Sequence, residues 1–203
     1  MVVVFGRPGA GKTTISNAAF EKIQNNKTKS NPCILLDLDV CVPSWMKDNF
    51  AKGIYPTLEQ RKEFALSACD YVDEEINKMR LKCNDGSEML ILVSFSFVNT
   101  DLRDHFRSRF PHAKWALVDV NDFIAQERID SREGHFYKGD PSAKKKEIKQ
   151  DSLKTEGKEP TKTSDNSEWN FAPVDFNHTT LDGLASIEEN SDHVMKILLK
   201  STE

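Results

Sequence analysis

The sequence lacks the features that mark a membrane protein or a disulfide-rich secreted protein. No apolar stretch approaches the roughly 18–20 residues that cross a bilayer. The start of the chain has no basic segment followed by a long apolar one, so we expect no secretory signal. The cysteines lack the paired spacing of zinc ligands, and we interpret all of them as free thiols of a reducing cytoplasm: Cys33, Cys41, Cys69 and Cys83.

An excess of positive charge is also missing. The net charge is −4, from 28 basic and 32 acidic residues. A chain of this charge creates no overall field that attracts nucleic acid or anionic lipid. We therefore predict a cytoplasmic protein with neither a nucleic-acid nor a membrane partner.

The length and composition are those of one globular domain. A chain of 203 residues suits a single domain with an added lid or insertion. The segment at about 138–168 is rich in Lys, Glu, Ser, Thr and Asp and has almost no large apolar residue. Such a composition cannot build a core, so we interpret it as a polar insertion in a single domain spanning 1–203.

Short apolar runs alternate with helical patterns along the chain. The apolar runs predict strands at Val2–Phe5, 34–36, 89–97, 115–120 and 173–176. Helical periodicity or charge pattern predicts five helices. The first begins at residue 13, and the second follows a capping box at 57–60. The other three lie at 101–109, 122–132 and Ile187–Leu199. Prolines and a glycine predict an irregular stretch at 40–56. The alternation indicates an α/β fold, a parallel sheet with helices on both faces.

A phosphate-binding motif follows the first predicted strand and opens the first predicted helix. The residues are Gly6-Arg7-Pro8-Gly9-Ala10-Gly11-Lys12-Thr13, the P-loop pattern in the context that it requires. Its glycines let successive N–H groups point at phosphate oxygens, and the helix start adds the positive end of its dipole. Lys12 would reach the β- and γ-phosphates, and the Thr13 hydroxyl would ligate Mg²⁺. The candidate nucleotide-binding residues are Gly6, Gly9, Ala10, Gly11, Lys12, Thr13 and Thr14.

Two acids, Asp37 and Asp39, end the second predicted strand. In an open parallel sheet, ligands bind at this edge. One acid can help to hold Mg²⁺ through water, and we name Asp37 as the candidate metal residue beside Thr13. The other can orient a substrate hydroxyl or accept its proton. The pattern leaves open which acid assists proton transfer.

Two arginines, Arg128 and Arg132, are four residues apart, so a helix places them on one face. Cations there can close over a transferring phosphoryl group and offset its negative charge. A solvent-exposed helix face held by salt bridges is the alternative.

In this order along the chain, the motifs resemble those of the gluconate kinases, within the wider group that includes shikimate kinase. The P-loop alone is shared by many unrelated proteins, whereas the ordered set is more specific. The set consists of the P-loop, Asp37-x-Asp39, then Pro43, Gly53 and Arg61 at the family's intervals, Ser96 with Arg103-Asp104 beginning seven residues later, and Arg128-x-x-x-Arg132-Glu133-Gly134-His135-Phe136.

The resemblance implies a kinase that uses ATP and Mg²⁺, with a five-stranded sheet in the nucleoside-monophosphate-kinase style. It implies a mobile lid at about 128–140, an acceptor-binding region at about 40–64, and a sugar acid, gluconate or a relative, as the small-molecule acceptor. We expect a monomer or homodimer. The catalytic residues would be Lys12, Asp39, Arg128 and Arg132, with Arg128 also on ATP, and the acceptor-binding residues would be Asp39, Arg61, Ser96, Arg103 and His135.

The acceptor region departs from the family pattern. Val42 and Met46 replace a histidine and an asparagine of the family, and Asn99 and Thr100 replace two lysines. With Phe95 and Phe97 nearby, these changes favour a more apolar or differently charged acceptor. Two alternatives stay open: a kinase of the same fold for shikimate, a nucleoside or a nucleotide, and a nucleotide-binding regulatory module without transfer activity.

Overall fold

The computed structural model describes residues 1–25, 31–82, 88–132, 137 and 171–200. The strands in this part of the chain are β1 Val2–Phe5, β2 Cys33–Asp37, β3 Leu90–Phe95, β4 Lys114–Asp119 and β5 Thr179–Asp182. The α-helices are α1 Lys12–Asn25, α2 Ser44–Ala51, α3 Leu58–Lys82, α4 Thr100–Arg109, α5 Asp122–Asp130 and α6 Ile187–Leu199. A 3₁₀ helix, Leu38–Cys41, follows β2 directly.

The strands form one five-stranded parallel sheet in the order β2-β3-β1-β4-β5. This confirms the predicted α/β fold. Parallel strands end at the same edge, so the carboxyl ends of β1, β2 and β3 lie side by side. In the register, Ser94 of β3 lies opposite Asp37 on one side and Val4 on the other. The P-loop and the two acids are therefore neighbours, although they are far apart in sequence.

Apolar side chains on the two faces of the sheet build two cores. Successive residues of a strand point to opposite faces. Val3 and Phe5 accordingly join the core under α3 and α4, whereas Val2 and Val4 join the core under α1 and α6. Burial on both faces explains why β1 is apolar throughout.

The sequence predicts an irregular stretch at 40–56. This prediction is wrong, because the segment contains helix α2. Pro43 lies just before the first turn, where a residue without an N–H does not interrupt the hydrogen bonding. The helix buries Met46 and ends before Gly53, which has a φ of +72°. A proline at a helix start was thus mistaken for a helix breaker.

The fifth strand lies at Thr179–Asp182 and not at 173–176. It pairs with β4, with Leu181 opposite Val118, and Leu181 is its buried residue. A strand at the edge of a sheet with one buried side chain leaves no apolar run in the sequence. The apolar residues that suggested the earlier position, Val174 and Phe176, pack against the core as an extended segment.

Smaller corrections concern element ends. Helix α5 ends at Asp130, so Arg132 lies beyond it. Phe123 of this helix is 65% exposed, and Ala125 and Ile129 are its buried residues. Strand β3 ends at Phe95, because Phe97 has a left-handed φ of +46° that no strand allows.

Two of the predicted features, residues 133–136 of the lid and the insertion at 138–168, lie outside the described residues. Within the described ranges, no helix combines the length and the apolarity that crossing a membrane requires.

Candidate active site

The P-loop packs closely against the elements behind it. Gly6 has a φ of +149°, and a Cβ atom there would lie 2.5 Å from the carbonyl oxygen of Val118 in β4. Gly9 has a φ of +83°, and its Cβ would lie 2.2 Å from the carbonyl oxygen of Ala125 in α5. Any side chain would therefore push the loop away from the sheet and from α5.

Lys12 begins α1 and brings a positive charge into a buried place. Its side chain is nearly inaccessible, and its Nζ donates a hydrogen bond to the carbonyl of Arg7 at 2.9 Å. Burial lowers the pKa of Lys12 from its ordinary value to about 8, against the raising effect of Asp39 and Asp37. The amine is still mostly charged at neutral pH, where phosphate oxygens would compensate for its lost hydration.

Thr13 and Asp37 meet at the mouth of the P-loop. The Thr13 hydroxyl donates to Oδ2 of Asp37 at 3.1 Å. The other oxygen of Asp37 accepts from the backbone N–H of Asp39 at 3.0 Å, which caps the 3₁₀ helix and holds the carboxylate in place. Mg²⁺ in nucleotide sites takes a few protein oxygens and completes its shell with phosphates and water. This hydroxyl and carboxylate fit that requirement.

A larger ligand set made by the protein alone is not present in the described ranges. No group of three or more His, Cys, Asp or Glu side chains there can hold a metal ion. A metal at Thr13 and Asp37 would therefore depend on the phosphates of a nucleotide for most of its ligands.

One cavity of about 650 Å³ joins the P-loop to the region around α2 and the start of α3. The P-loop and Asp37 line one half, and mainly apolar side chains line the other. The phosphate half contains Pro8, Gly9, Gly11, Lys12, Thr13, Thr14, Asp37 and Arg132. The other half, which we call the acceptor half, contains Asp39, Val42, Met46, Phe50, Pro56, Arg61, Phe64, Ser94, Phe95, Ser96, Val98, Leu102 and Tyr137.

Three of the predicted acceptor residues, Asp39, Arg61 and Ser96, line this cavity. Arg61 is already partly engaged. Its Nε donates to Oδ2 of Asp101 at 3.0 Å and its Nη1 donates to the carbonyl of Pro56 at 3.0 Å. Nη2 has no hydrogen-bond partner within the described ranges, so it can bind one further acceptor group.

Arg103 is not brought to the cavity, contrary to the expectation that it binds the acceptor. It is 1% exposed, and its guanidinium donates to four backbone carbonyls at 2.7 to 3.2 Å, those of Phe97, Val98, Ala172 and Pro173. It also lies 4.5 Å from the ring centre of Phe171. These contacts make Arg103 a structural residue that joins the turn after β3 to the segment before β5.

The two lid arginines occupy different places. Arg128 donates to the carbonyls of Ala10 at 3.3 Å and Gly183 at 3.0 Å, so it supports the P-loop from behind and does not line the cavity. Arg132 lies past the end of α5 and lines the phosphate half. The prediction that Arg128 and Arg132 share one face of a helix is therefore wrong. His135 lies outside the described residues.

Sequence reasoning missed Ser94, the only buried cavity-lining hydroxyl without a hydrogen-bond partner in the described ranges. It lies opposite Asp37 in the sheet register, at the end of β3. A polar residue at the carboxyl end of an apolar strand was the available signal. The apolar wall residues Phe50, Phe64, Leu102 and Tyr137 were also missed, and no local pattern distinguishes them from ordinary core residues.

No model of a protein family matches this chain, and no curated protein matches it. Solved structures do. A sugar kinase from Janibacter sp. has a TM-score of 0.62 at 18% identity, over 98% of this chain and 93% of that one. A gluconokinase from Sinorhizobium meliloti has a TM-score of 0.55 at 17% identity, over 100% of this chain and 97% of that one. An APS kinase from Mycobacterium tuberculosis, in complex with AMPPNP and APS, has a TM-score of 0.57 at 15% identity, over 98% of this chain and 97% of that one.

At these identities the likeness establishes the fold and not the substrate. Each of the three structures is covered over nearly its full length, so the likeness extends beyond the sheet to the whole architecture. This chain has the P-loop kinase fold.

Proposed function

We propose that this protein is an ATP-dependent small-molecule kinase that transfers the γ-phosphoryl group to a hydroxyl of a sugar acid, with gluconate or a relative as the first candidate. The observation that carries the proposal is the single cavity lined by both Lys12 of the P-loop and Asp39 of the acceptor half. A donor and an acceptor bound in it would be held next to each other, which is most of what phosphoryl transfer requires.

The residues have complementary tasks in this proposal. The P-loop N–H groups and Lys12 hold the β- and γ-phosphates, while Thr13 and Asp37 hold Mg²⁺, which would neutralise phosphate charge. Asp39 orients the acceptor hydroxyl and accepts its proton as the oxygen bonds to the γ-phosphorus. The bond from that phosphorus to the bridging oxygen breaks, and ADP leaves with the electron pair.

The arginines support the same reaction from two positions. Arg132 lines the phosphate half and offsets the charge of the transferring group. Arg128 does so indirectly, because its bond to the carbonyl of Ala10 fixes the P-loop. Arg61 offers Nη2 to an acceptor carboxylate.

A kinase of the same fold with another acceptor, such as shikimate, a nucleoside or a nucleotide, is the second candidate. The apolar lining at Val42 and Met46 favours it. A nucleotide-binding regulatory module without transfer activity is the alternative from another class. A screen of ADP release over sugar acids, shikimate and nucleosides separates the three, because the regulatory module would bind ATP and release no acceptor-dependent ADP.

Replacing Asp39 with Asn tests the acceptor role directly. The amide keeps the shape but cannot accept the proton, so we expect acceptor-dependent kcat to fall by about 10²–10⁴-fold. ATP binding should persist, since Asp39 is not on the P-loop, and its Kd should change only through the loss of a carboxylate that raises the pKa of Lys12. The measurements are ADP release with the acceptor found in the screen and the Kd of MgATP by calorimetry.

The matched control is Asp48→Asn, an exposed acid of α2 that does not line the cavity. It should leave both quantities unchanged. If Asp39→Asn turns over as fast as the parent protein, Asp39 does not serve the acceptor.

A further inference from the structure

We infer that the acceptor is a hydroxylated acid whose remaining body is apolar, a ring or an aliphatic chain, and not a polyol. The inference rests on the proposed transfer of a phosphoryl group to a hydroxylated acid, and it replaces gluconate as the first candidate, because the acceptor half of the same cavity fits a less hydroxylated acid.

Two aromatic pairs form the walls of this half. Phe50 lies edge-on to Tyr137, with ring centres 6.0 Å apart. Phe64 and Phe95 lie 5.2 Å apart. Each pair joins segments that are distant in the chain, so the walls belong to the fold and not to one loop. The surface they offer suits a flat or aliphatic body.

Aliphatic side chains complete the lining between these pairs. Val42 and Met46 are 5% and 4% exposed and come from the 3₁₀ helix end and from α2. Val98 and Leu102 add the turn after β3 and helix α4. None of these four side chains can donate or accept a strong hydrogen bond.

The polar groups that line this half are few and have evident uses. Asp39 faces the reaction. Arg61 keeps Nη2 for one anionic group, and its Asp101 partner already offsets part of its charge. Ser94 and Ser96 provide hydroxyls near the end of β3. Tyr137 adds a third hydroxyl, so the set matches a ligand with one reacting hydroxyl, one carboxylate and no more than two or three further polar groups.

A polyol acid carries a hydroxyl on almost every carbon. Each hydroxyl gives up water on entering the cavity and needs a new partner, because a buried hydroxyl without one is unfavourable. Apart from the hydroxyl of Tyr137, the walls described above cannot supply such partners. They instead favour a ligand whose carbons bear hydrogen in place of hydroxyl groups. Burial of such a ligand releases water from the apolar surface of both the ligand and the cavity.

The test compares acceptors that differ only in the intermediate hydroxyls. Gluconate is compared with the straight-chain ω-hydroxy acid of equal carbon number, and shikimate with the cyclohexene carboxylate that carries a single hydroxyl. We expect kcat/KM to be about tenfold to hundredfold higher for the less hydroxylated member of each pair, the range over which apolar pockets discriminate. ADP release gives the rate, and the mass of the phosphorylated acceptor confirms transfer.

Two variants move the preference in a defined direction. Phe50→Gln and Met46→Asn each add a hydrogen-bonding group to the wall and should shift the kcat/KM ratio toward the polyol acid, with the KM for ATP unchanged. Phe50 is half-buried, so its variant remains informative if the buried Met46 position does not tolerate Asn. Leu66→Gln, on the exposed face of α3, is the matched control and should leave the ratio unchanged.

The two hypotheses fail in different ways. Preference for gluconate or shikimate over its less hydroxylated partner overturns this inference and leaves the proposed kinase activity standing. Tight binding of MgATP without transfer to any acceptor of either kind overturns the proposed function and this inference with it.

Discussion

Lys12 shows how burial and charge are balanced at a single residue. The amine is enclosed by the P-loop, and this enclosure lowers its pKa to about 8, while the nearby carboxylates of Asp39 and Asp37 act in the opposite direction. A charged amine with little water around it interacts strongly with any anion that reaches it. Burial therefore has two effects on Lys12. It disfavours the charged amine when no anion is near, and it strengthens the attraction between the charged amine and a nucleotide.

A pH dependence of nucleotide affinity follows from this pKa. Raising the pH from 7 to 9.5 removes the proton from Lys12, so we expect the Kd of MgATP to rise by at most about tenfold per pH unit above pH 8. Calorimetric titrations at several pH values measure it. Above pH 8, where the effect is expected, the phosphates of ATP are already ionised and contribute no titration of their own.

The stability of the nucleotide-free protein should move in the other direction. The folded pKa of Lys12 lies below its ordinary value of 10.5, so the unfolded chain binds more protons between about pH 8 and 10.5. In that window the contribution of Lys12 to the free energy of unfolding increases with pH. Lys12→Met, which cannot titrate, should lack both effects. An affinity for MgATP that is constant up to pH 9.5 would contradict the assigned role.

At the scale of elements, helix α4 connects the fold to the cavity. Its residue Arg103 bonds the turn after β3 and the segment at 172–173, and the backbone N–H of Ala172 adds a bond to the carbonyl of Val98 at 2.9 Å. Two residues earlier, Asp101 holds Arg61 of α3 at the edge of the cavity. The helix thus fixes a core contact and a cavity residue together.

Removing the Arg103 side chain should lower the stability of the protein strongly and affect its catalytic activity much less. Arg103→Ala removes the donor of three carbonyls, those of Phe97, Ala172 and Pro173, and empties a buried site, so we expect the free energy of unfolding to fall by about 3 kcal/mol or more. Urea unfolding measures the loss. Burial lowers the pKa of Arg103 to about 10, so the side chain is charged at neutral pH and these bonds are charge-assisted.

Arg109→Ala is the control on the same helix. Arg109 is more than half exposed and pairs with Asp73 at the surface, where solvent screens the ion pair, so its removal should leave the free energy of unfolding nearly unchanged. A fully stable Arg103→Ala protein with a raised KM for the acceptor would instead restore the substrate role expected from the sequence.

At the scale of the whole molecule, the strand order determines which loops meet. β1 lies between β3 and β4, and β3 lies between β1 and β2. The loops that leave β1, β2 and β3 therefore converge at one edge, with the P-loop beside Asp37 and Ser94. A ligand bound there touches segments from the first half of the chain, Arg132 after the end of α5, and Tyr137, so binding should stabilise the entire fold.

A non-hydrolysable ATP analogue should therefore raise the melting temperature. At a concentration about a hundred times its Kd, the analogue with Mg²⁺ should add about 2.7 kcal/mol. For a chain of this size that corresponds to roughly 5–10 °C. Thermal unfolding followed by circular dichroism measures the shift.

Asp37→Asn provides the matched variant for the metal. It should lose the part of the shift that depends on Mg²⁺ and keep the part that depends on the analogue alone. If Mg²⁺ contributes equally in both proteins, Asp37 does not help to hold the metal.

The sequence alone determined what depends on neighbours along the chain. The P-loop, strand β1 and helix α6 are each defined by a local pattern, and the capping box forms with Thr57 and Gln60 bonded in both directions at 2.9 and 3.3 Å. Hydrogen bonding between residues a few positions apart and the periodicity of burial are legible in a single segment. The α/β fold followed from the order of these segments.

Only the tertiary structure decided what depends on segments far apart. Arg103 and Arg128 carry the same charge as Arg61 and Arg132, yet the first two bond backbone carbonyls while the last two line the cavity. The position of β5 and the apolar walls of the acceptor half depend on which elements pack together. Burial, and not residue type, assigns such side chains to the core or to a ligand, and burial is a property of the assembled fold.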